Sequence, residues 1–216
     1  MPVDRASKTG REPAGRRALV LAAEHLVAKY GVEGFTVRML NDQAGARNAS
    51  ALYYHFETRE GLIRAVWEHR MSVIDPERLR LLDGLTCRDT AHIIDAIVVP
   101  LADQIKPVPA GGAYLRFLER VWRAGVYEQE AFSNLPFTTS WRMAYDLLRE
   151  GLAGTMPADL IEMKIRLVRT LIVSGLAGIE ADIESGKLRA KALPTATRML
   201  RDSALAILRS TSNPAA

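Results

Sequence analysis

Residues 36–56 read TVRMLNDQAGARNASALYYHF. Val37, Leu40 and Ala44 recur at helical spacing and give the first half of this stretch one apolar face. Thr36 precedes them as an N-cap, its hydroxyl placed to accept a free backbone N–H. Ala44-Gly45-Ala46 is the turn, with glycine where the backbone needs positive φ. A second, short helix ends in Leu-Tyr-Tyr-His-Phe and holds Leu52 and Phe56, four residues apart, on its inner side. Arg47, Asn48, Ser50, Tyr53, Tyr54 and His55 are left to point outward. They are donors, acceptors and aromatic rims without an acid among them, a face better suited to a polyanion than to bulk water. The pattern is that of a helix-turn-helix whose second helix enters the DNA major groove.

Upstream, Arg16 to Tyr30 reads as a helix with Leu19, Ala23, Leu26, Val27 and Tyr30 on one stripe. Gly31 and Gly34 turn the chain, and Phe35 is placed to plug a three-helix core. Arg5, Lys8, Arg11, Arg16 and Arg17 stand against one acid, Glu12. Such a basic arm can add salt-sensitive phosphate contacts. Arg16 and Arg17, which open the helix, are the better candidates, whereas residues 1–8 read as a solvated tail. Downstream, Thr58 opens the next helix, with Glu60 near its positive end. Leu62, Ile63, Val66 and Trp67 carry its apolar side, and it continues past Arg70. Asp75-Pro76 reads as a break or bend. Arg59 at this helix start is either a phosphate contact or a surface charge.

At these residues the chain resembles the TetR family of transcriptional regulators. The pieces are Thr36-Val37-Arg38, Ala44-Gly45-Ala46, Leu52-Tyr53-Tyr54-His55-Phe56 and Thr58-Arg59-Glu60-Gly61-Leu62. The resemblance covers roughly the first third of the chain. It departs from the family pattern in three places. The segment between Gly45 and Leu52 is one residue longer, and Met39 and Asn41 stand where an acid and an alanine are common. The resemblance implies an all-α protein. Its N-terminal helix-turn-helix DNA-binding domain would occupy residues 1–70, with the basic arm at 1–15. A helical effector-binding and dimerisation domain would follow over 71–216. Arg47, Asn48, Ser50 and Tyr54 would then approach base edges or flanking phosphates, with Arg47 suited to guanine and Asn48 to adenine. Thr36, Arg38, Tyr53, His55 and Arg59, with Arg16 beside them, would hold the backbone and fix register.

Beyond residue 70 the chain is a series of apolar helical patterns cut by Pro and Gly. They run over 89–105 (with Pro100 inside, kinking or ending the helix), 114–124, 139–152, 157–184 and 194–210, and residues 127–136 read as irregular. His92, Tyr114, Phe117, Trp122, Trp141 and Tyr145 are candidates to line an apolar effector cavity, though each taken singly also reads as core. Ser174, Gly175, Ala177, Gly178 and Ala181 permit close helix approach. Met199, Leu200, Leu205, Ile207 and Leu208 make the last helix apolar on more than one side. The resemblance implies a homodimer through the last two helices, presenting two reading helices to a near-palindromic double-stranded operator. It also implies a small-molecule site, which the aromatic residues suit to a small hydrophobic or aromatic effector.

The remaining residues narrow the function by what they lack. Cys87 is the only cysteine, so no internal disulfide forms and a reducing compartment fits. His25, His55, His69 and His92 make no spaced ligand pair, so neither a metal nor another cofactor is expected. No Gly-x-Ser-x-Gly elbow, phosphate loop or dinucleotide fingerprint is present, which argues against an enzyme. There is no leader-like apolar stretch and no run of membrane-spanning length, so a cytoplasmic protein without a membrane partner is expected. The reading that follows is a ligand-responsive regulator, most simply a repressor released by its effector. A carrier or enzyme with an aromatic pocket and an incidental head, and a nonspecific nucleic-acid binder, are the alternatives. A gel shift separates the first, and competition by unrelated DNA the second.

Overall fold

The computed structural model of the chain describes residues 14–46, 51–106, 112–125 and 138–210, and every regular element among them is helical. The head is made of α1 (Ala14–Tyr30), α2 (Val37–Ala44) and α3 (Ala51–Phe56). Leu19, Ala23, Leu26 and Val27 of α1, Leu40 of α2, and Leu52 and Phe56 of α3 share one core, and Phe35 joins it at 1% exposure. The expected α1 stripe fails only at its last member. Tyr30 is 45% exposed beneath the Lys29 ammonium, because α1 stops there and the chain turns away through Gly31 at φ 83°. Gly34 has no room for a side chain: a Cβ there would lie 2.0 Å from the Tyr30 carbonyl oxygen.

The chain continues into α4 (Arg59–Leu82), α5 (Thr90–Ala102), α6 (Tyr114–Arg123), α7 (Thr139–Leu152), α8 (Ala158–Glu184) and, after a 3-10 turn at Ala190–Ala192, α9 (Leu193–Arg209). The body closes on itself. α4 packs on α5 and α7, α6 and α7 on α8, α8 on α9, and α9 back on α5. Head and body meet where α1 packs on both α4 and α6.

Of the break or bend expected at Asp75-Pro76, the break does not occur. α4 runs on to Leu82 with Pro76 inside it. Proline in a helix interior costs about 3 kcal/mol, but Asp75, Arg78 and Leu82 are all buried beside it and packing holds the helix together. At 24 residues, α4 is about 36 Å long and belongs to head and body alike. Pro100 behaves as expected, since α5 ends two residues later at Ala102. The irregular stretch 127–136 lies outside the described residues. No helix among those described is long and apolar enough to cross a membrane.

Candidate nucleic-acid interface and effector cavity

The candidate reading surface is built by caps. Thr36 Oγ1 accepts the Met39 N–H at 3.2 Å and starts α2. Gly45, in the left-handed conformation at φ 64°, ends it. The Gly45 N–H reaches the Asp42 carbonyl at 3.3 Å and the Ala46 N–H reaches the Asn41 carbonyl at 2.9 Å. This is a Schellman closure, which fixes how the chain leaves α2 for α3. With Leu52 and Phe56 buried, α3 turns Tyr53 and Tyr54 outward at 59% and 82% exposure. His55 is half-buried, its ring edge-on to Tyr54 at 4.9 Å. Arg38 lies 3.8 Å from Asp42, but both side chains are largely in solvent, so the pair holds Arg38 only weakly. Arg16 lays its guanidinium over the Phe56 ring at 4.9 Å, beside α3. Arg47, Asn48 and Ser50 lie outside the described residues.

Arg59, expected either as a phosphate contact or as a surface charge, is bonded inward. Its Nη1 donates to the Val32 carbonyl at 2.9 Å and its Nη2 to the Phe35 carbonyl at 3.0 Å. The guanidinium also lies 4.5 Å over the Phe35 ring, with Glu33 at 3.6 Å. The loop between α1 and α2 leaves carbonyls without helical partners, and the start of α4 brings a multivalent donor to them.

The body holds a cavity of about 770 Å³, open to solvent on one side and within the range of small-molecule sites. Tyr114, Trp122, Trp141 and Tyr145 line it, as the aromatic pattern suggests. Trp141 contacts Tyr145 at 4.7 Å and Trp122 at 6.2 Å, both edge-on. Two candidates fall elsewhere. Phe117 is 1% exposed and stacks on the other side of Tyr114, as core. His92 is exposed in a separate cleft with Arg88, Leu152 and Arg209. The cavity also takes Trp67, expected on the apolar side of its helix, and Met71 from α4, together with Ile165 and Val173 from α8.

The least anticipated lining residue is Arg78. It is fully buried, and its guanidinium lies 5.0 Å over the Trp141 ring. Nε donates to the Ala96 carbonyl and Nη1 to Ser140 Oγ, each at 3.3 Å. Ser140 in turn gives its hydroxyl and its backbone N–H to Asp75 Oδ1, at 2.5 and 3.1 Å. Burial pulls the Arg78 pKa down to about 10, which still leaves it cationic at neutral pH. A signal for it exists: Trp67, Met71, Ile74, Arg78 and Leu82 fall on one helical face. That face is visible only if the helix runs through Pro76.

Two buried carboxylates meet the N-terminus of α6, where head and body join. Glu24 of α1 accepts the Ala113 N–H at 3.0 Å, and Glu180 of α8 accepts the Arg116 N–H at 3.0 Å and the Leu115 N–H at 3.4 Å. Acceptors there satisfy free donors and complement the helix dipole. Arg70 binds Glu24 and lies 5.9 Å over the ring of Tyr114, which lines the cavity. A contiguous set of contacts therefore joins the cavity wall to the first helix of the head.

A capped helix-turn-helix with a polar outer face, set on an all-helical body, defines a DNA-binding regulator. Residues 19–66 match the family described as bacterial regulatory proteins, tetR family. A TetR family transcription regulator from Marinobacter aquaeolei VT8 shares the fold at TM-score 0.58 and 15% identity, covering 88% of this chain and 95% of that one. A putative tetR family transcription regulator from Shewanella sp. PV-4 does so at TM-score 0.55 and 13% identity, covering 88% and 97%. A gamma-butyrolactone receptor described as ArpA-like does so at TM-score 0.53 and 20% identity, covering 88% and 100%. No curated protein matches the chain in sequence. Over residues 19–66 the chain therefore matches the TetR family, and its whole fold is shared with regulators of that family.

Proposed function

We propose that this regulator acts as a dimeric repressor that leaves its operator when a small apolar effector fills the body cavity. The observation that carries the reading is the pairing of an outward Tyr53-Tyr54-His55 face with a cavity of about 770 Å³, connected through α1, α4 and α6. In this reading residues 1–70 form the head and 71–216 the body. Tyr54, with Arg47, Asn48 and Ser50, approaches bases or flanking phosphates, and Thr36, Arg38, Tyr53, His55 and Arg16 hold the backbone. The fold's occurrence in a gamma-butyrolactone receptor supports a ligand site in the body. The protein works in the cytoplasm by binding, with no catalytic step.

The dimer would use α8 and α9. Met163 and Leu167 on α8 are 43% and 55% exposed, and Met199 on α9 is 67% exposed. Leu200, Leu205 and Leu208 are buried within the subunit, so the second apolar side of α9 is narrower than its composition suggests. Gly175 serves internal packing, since a Cβ there would lie 2.5 Å from Leu200 Cδ1, whereas Gly178 faces open space. A two-fold pair would set the reading helices about 34 Å apart on a near-palindrome. The effector shifts the equilibrium only by its differential affinity for the DNA-competent and released states.

The test is a gel shift on DNA from the protein's own upstream region, with unrelated duplex as competitor. Wild type gives a competitor-resistant shift. The Tyr54→Ala, His55→Ala double variant loses it while keeping its circular dichroism spectrum. An unchanged shift removes the assigned reading face, and a shift erased by unrelated DNA makes the protein a nonspecific binder.

A further inference from the structure

The body cavity is apolar on most of its wall, yet it holds polar atoms that no described residue pairs. Arg78 Nη2, the Tyr114 and Tyr145 hydroxyls and Arg169 Nε are all buried without a hydrogen-bond partner among the described residues, and all four residues line the cavity. Each such atom costs about 1–3 kcal/mol. Two or more near one wall are therefore better explained by a ligand group that pairs them than by packing. All are donors. Arg78 carries a charge, and burial pushes both phenols above their ordinary pKa, so each keeps its proton at neutral pH. A wall of unpaired donors calls for an acceptor on the ligand.

Charge decides what kind of acceptor. Six arginines line the cavity, Arg78, Arg123, Arg142, Arg149, Arg166 and Arg169, against the acids Glu119 and Glu162. Glu119 is taken by Arg123 at 3.1 Å and Glu162 by Arg149 at 2.5 Å. The other four arginines pair directly with no carboxylate among the described residues; Arg78 reaches Asp75 only through Ser140. The cavity therefore has a positive excess, with one cation at its fully buried end.

We propose that the effector is an apolar carboxylic acid whose carboxylate seats on Arg78 and the Tyr114 and Tyr145 hydroxyls, its body lying against Trp67, Trp122 and Trp141. This rests on the reading of the cavity as the effector site. A carboxylate is planar and accepts from a guanidinium edge and from hydroxyls at once, in a site where charge-assisted bonds are strong. Tyr114 also lies under Arg70, so a carboxylate drawn to its hydroxyl acts on the residue that holds α1 to the body.

All three tryptophans of the chain line the cavity, so intrinsic fluorescence reports its occupancy directly. The probes are 4-phenylbutanoate and decanoate, each against its own methyl ester. The acids bind at least about tenfold tighter than the esters. Arg78→Met removes that preference and leaves ester affinity unchanged. Tyr145→Phe and Tyr114→Phe weaken the acids about threefold to tenfold while thermal stability holds or rises, because each deletes a buried hydroxyl with no partner among the described residues. If Arg78→Met does not fold, Arg78→Lys and the two phenylalanine variants carry the test. Equal affinity for acid and ester, an acid preference that survives in every folded variant, or no response to any of the four compounds overturns the proposal. A gel shift on the same samples separates the two readings. Acid preference without a DNA shift keeps the carboxylate site and sinks the repressor, and a DNA shift released by neither acids nor esters keeps the DNA reader and sinks the carboxylate effector.

Discussion

The Arg70 guanidinium grips the Glu24 carboxylate with two bonds, Nε to Oε2 at 2.6 Å and Nη2 to Oε1 at 2.7 Å. Glu24 has no exposed surface and Arg70 little, so the pair ties the middle of α1 to α4 where water does not compete. The Ala113 N–H shares Glu24 Oε1, which draws the start of α6 into the same joint. Head and body are thus held by charge-assisted bonds at one place, and whatever moves Arg70 moves α1.

Arg70→Met should destabilise the protein by about 3–5 kcal/mol, since it strands a buried carboxylate. The double variant Arg70→Met, Glu24→Leu should recover much of that loss, as paired removal of buried charges commonly does. Denaturant unfolding of the two single variants and the double variant gives the coupling directly. Additive losses would show that the joint contributes nothing as a pair.

Glu180 makes stability depend on pH. Burial pushes its carboxyl up to about 7 from an ordinary value of 4.5, against the opposing pull of the Arg116 and Leu115 N–H groups and the Arg116 side chain. Between those values the folded chain keeps the proton and the unfolded chain releases it. The stabilisation is therefore fully present below about pH 4.5 and lost as pH rises through about 7, on the order of 3 kcal/mol across the window. Glu180→Gln holds no titrating proton, so the difference between wild type and this variant should fall over the same window. A flat difference by urea unfolding would place the carboxyl's pKa near its unfolded value.

Glu57 sits at φ 62°, the only non-glycine residue with positive φ among those described. The left-handed conformation costs an ordinary side chain about 1–2 kcal/mol, whereas asparagine tolerates it. Glu57→Asn should therefore stabilise the head by about 1 kcal/mol, read as a raised denaturation midpoint at unchanged slope. An unchanged or lowered midpoint would show that the Glu57 side chain offsets its own backbone strain.

Arg59 is stitched to the Val32 and Phe35 carbonyls and so acts within the head. Arg59→Met should cost about 2–3 kcal/mol of stability through two lost charge-assisted bonds and the ring contact. The salt slope of DNA binding should stay that of wild type. A slope smaller by about 1 would put the guanidinium on a phosphate instead.

Local chemistry decided the elements. Thr36 and Thr58 cap because a hydroxyl sits before an apolar repeat, and Gly45 ends α2 because it accepts positive φ. The span 139–152 is legible from periodicity alone and appears unaltered as α7. The outward character of Tyr53 and Tyr54 follows from Leu52 and Phe56 turning inward, a relationship contained within six residues. These outcomes depend on neighbours within about one helical turn, so the sequence by itself determined the caps, the turn after α2 and the outward face of Tyr53 and Tyr54.

What only the tertiary structure decided lies between residues far apart in the chain. Ser140 meets Asp75 across 65 positions, Arg70 meets Glu24 across 46, and Ala113 meets Glu24 across 89. Those contacts carry α4 through Pro76 and bury Arg78 at the wall of a cavity, while the Val32 and Phe35 carbonyls, 27 and 24 positions away, turn Arg59 inward. They also separate Tyr114, which lines the cavity, from Phe117, which fills the core, although one helix carries both. Periodicity says which side of a helix is apolar. It does not say whether that side meets another helix or an open space, because that distinction is made by the helices that arrive later in the chain.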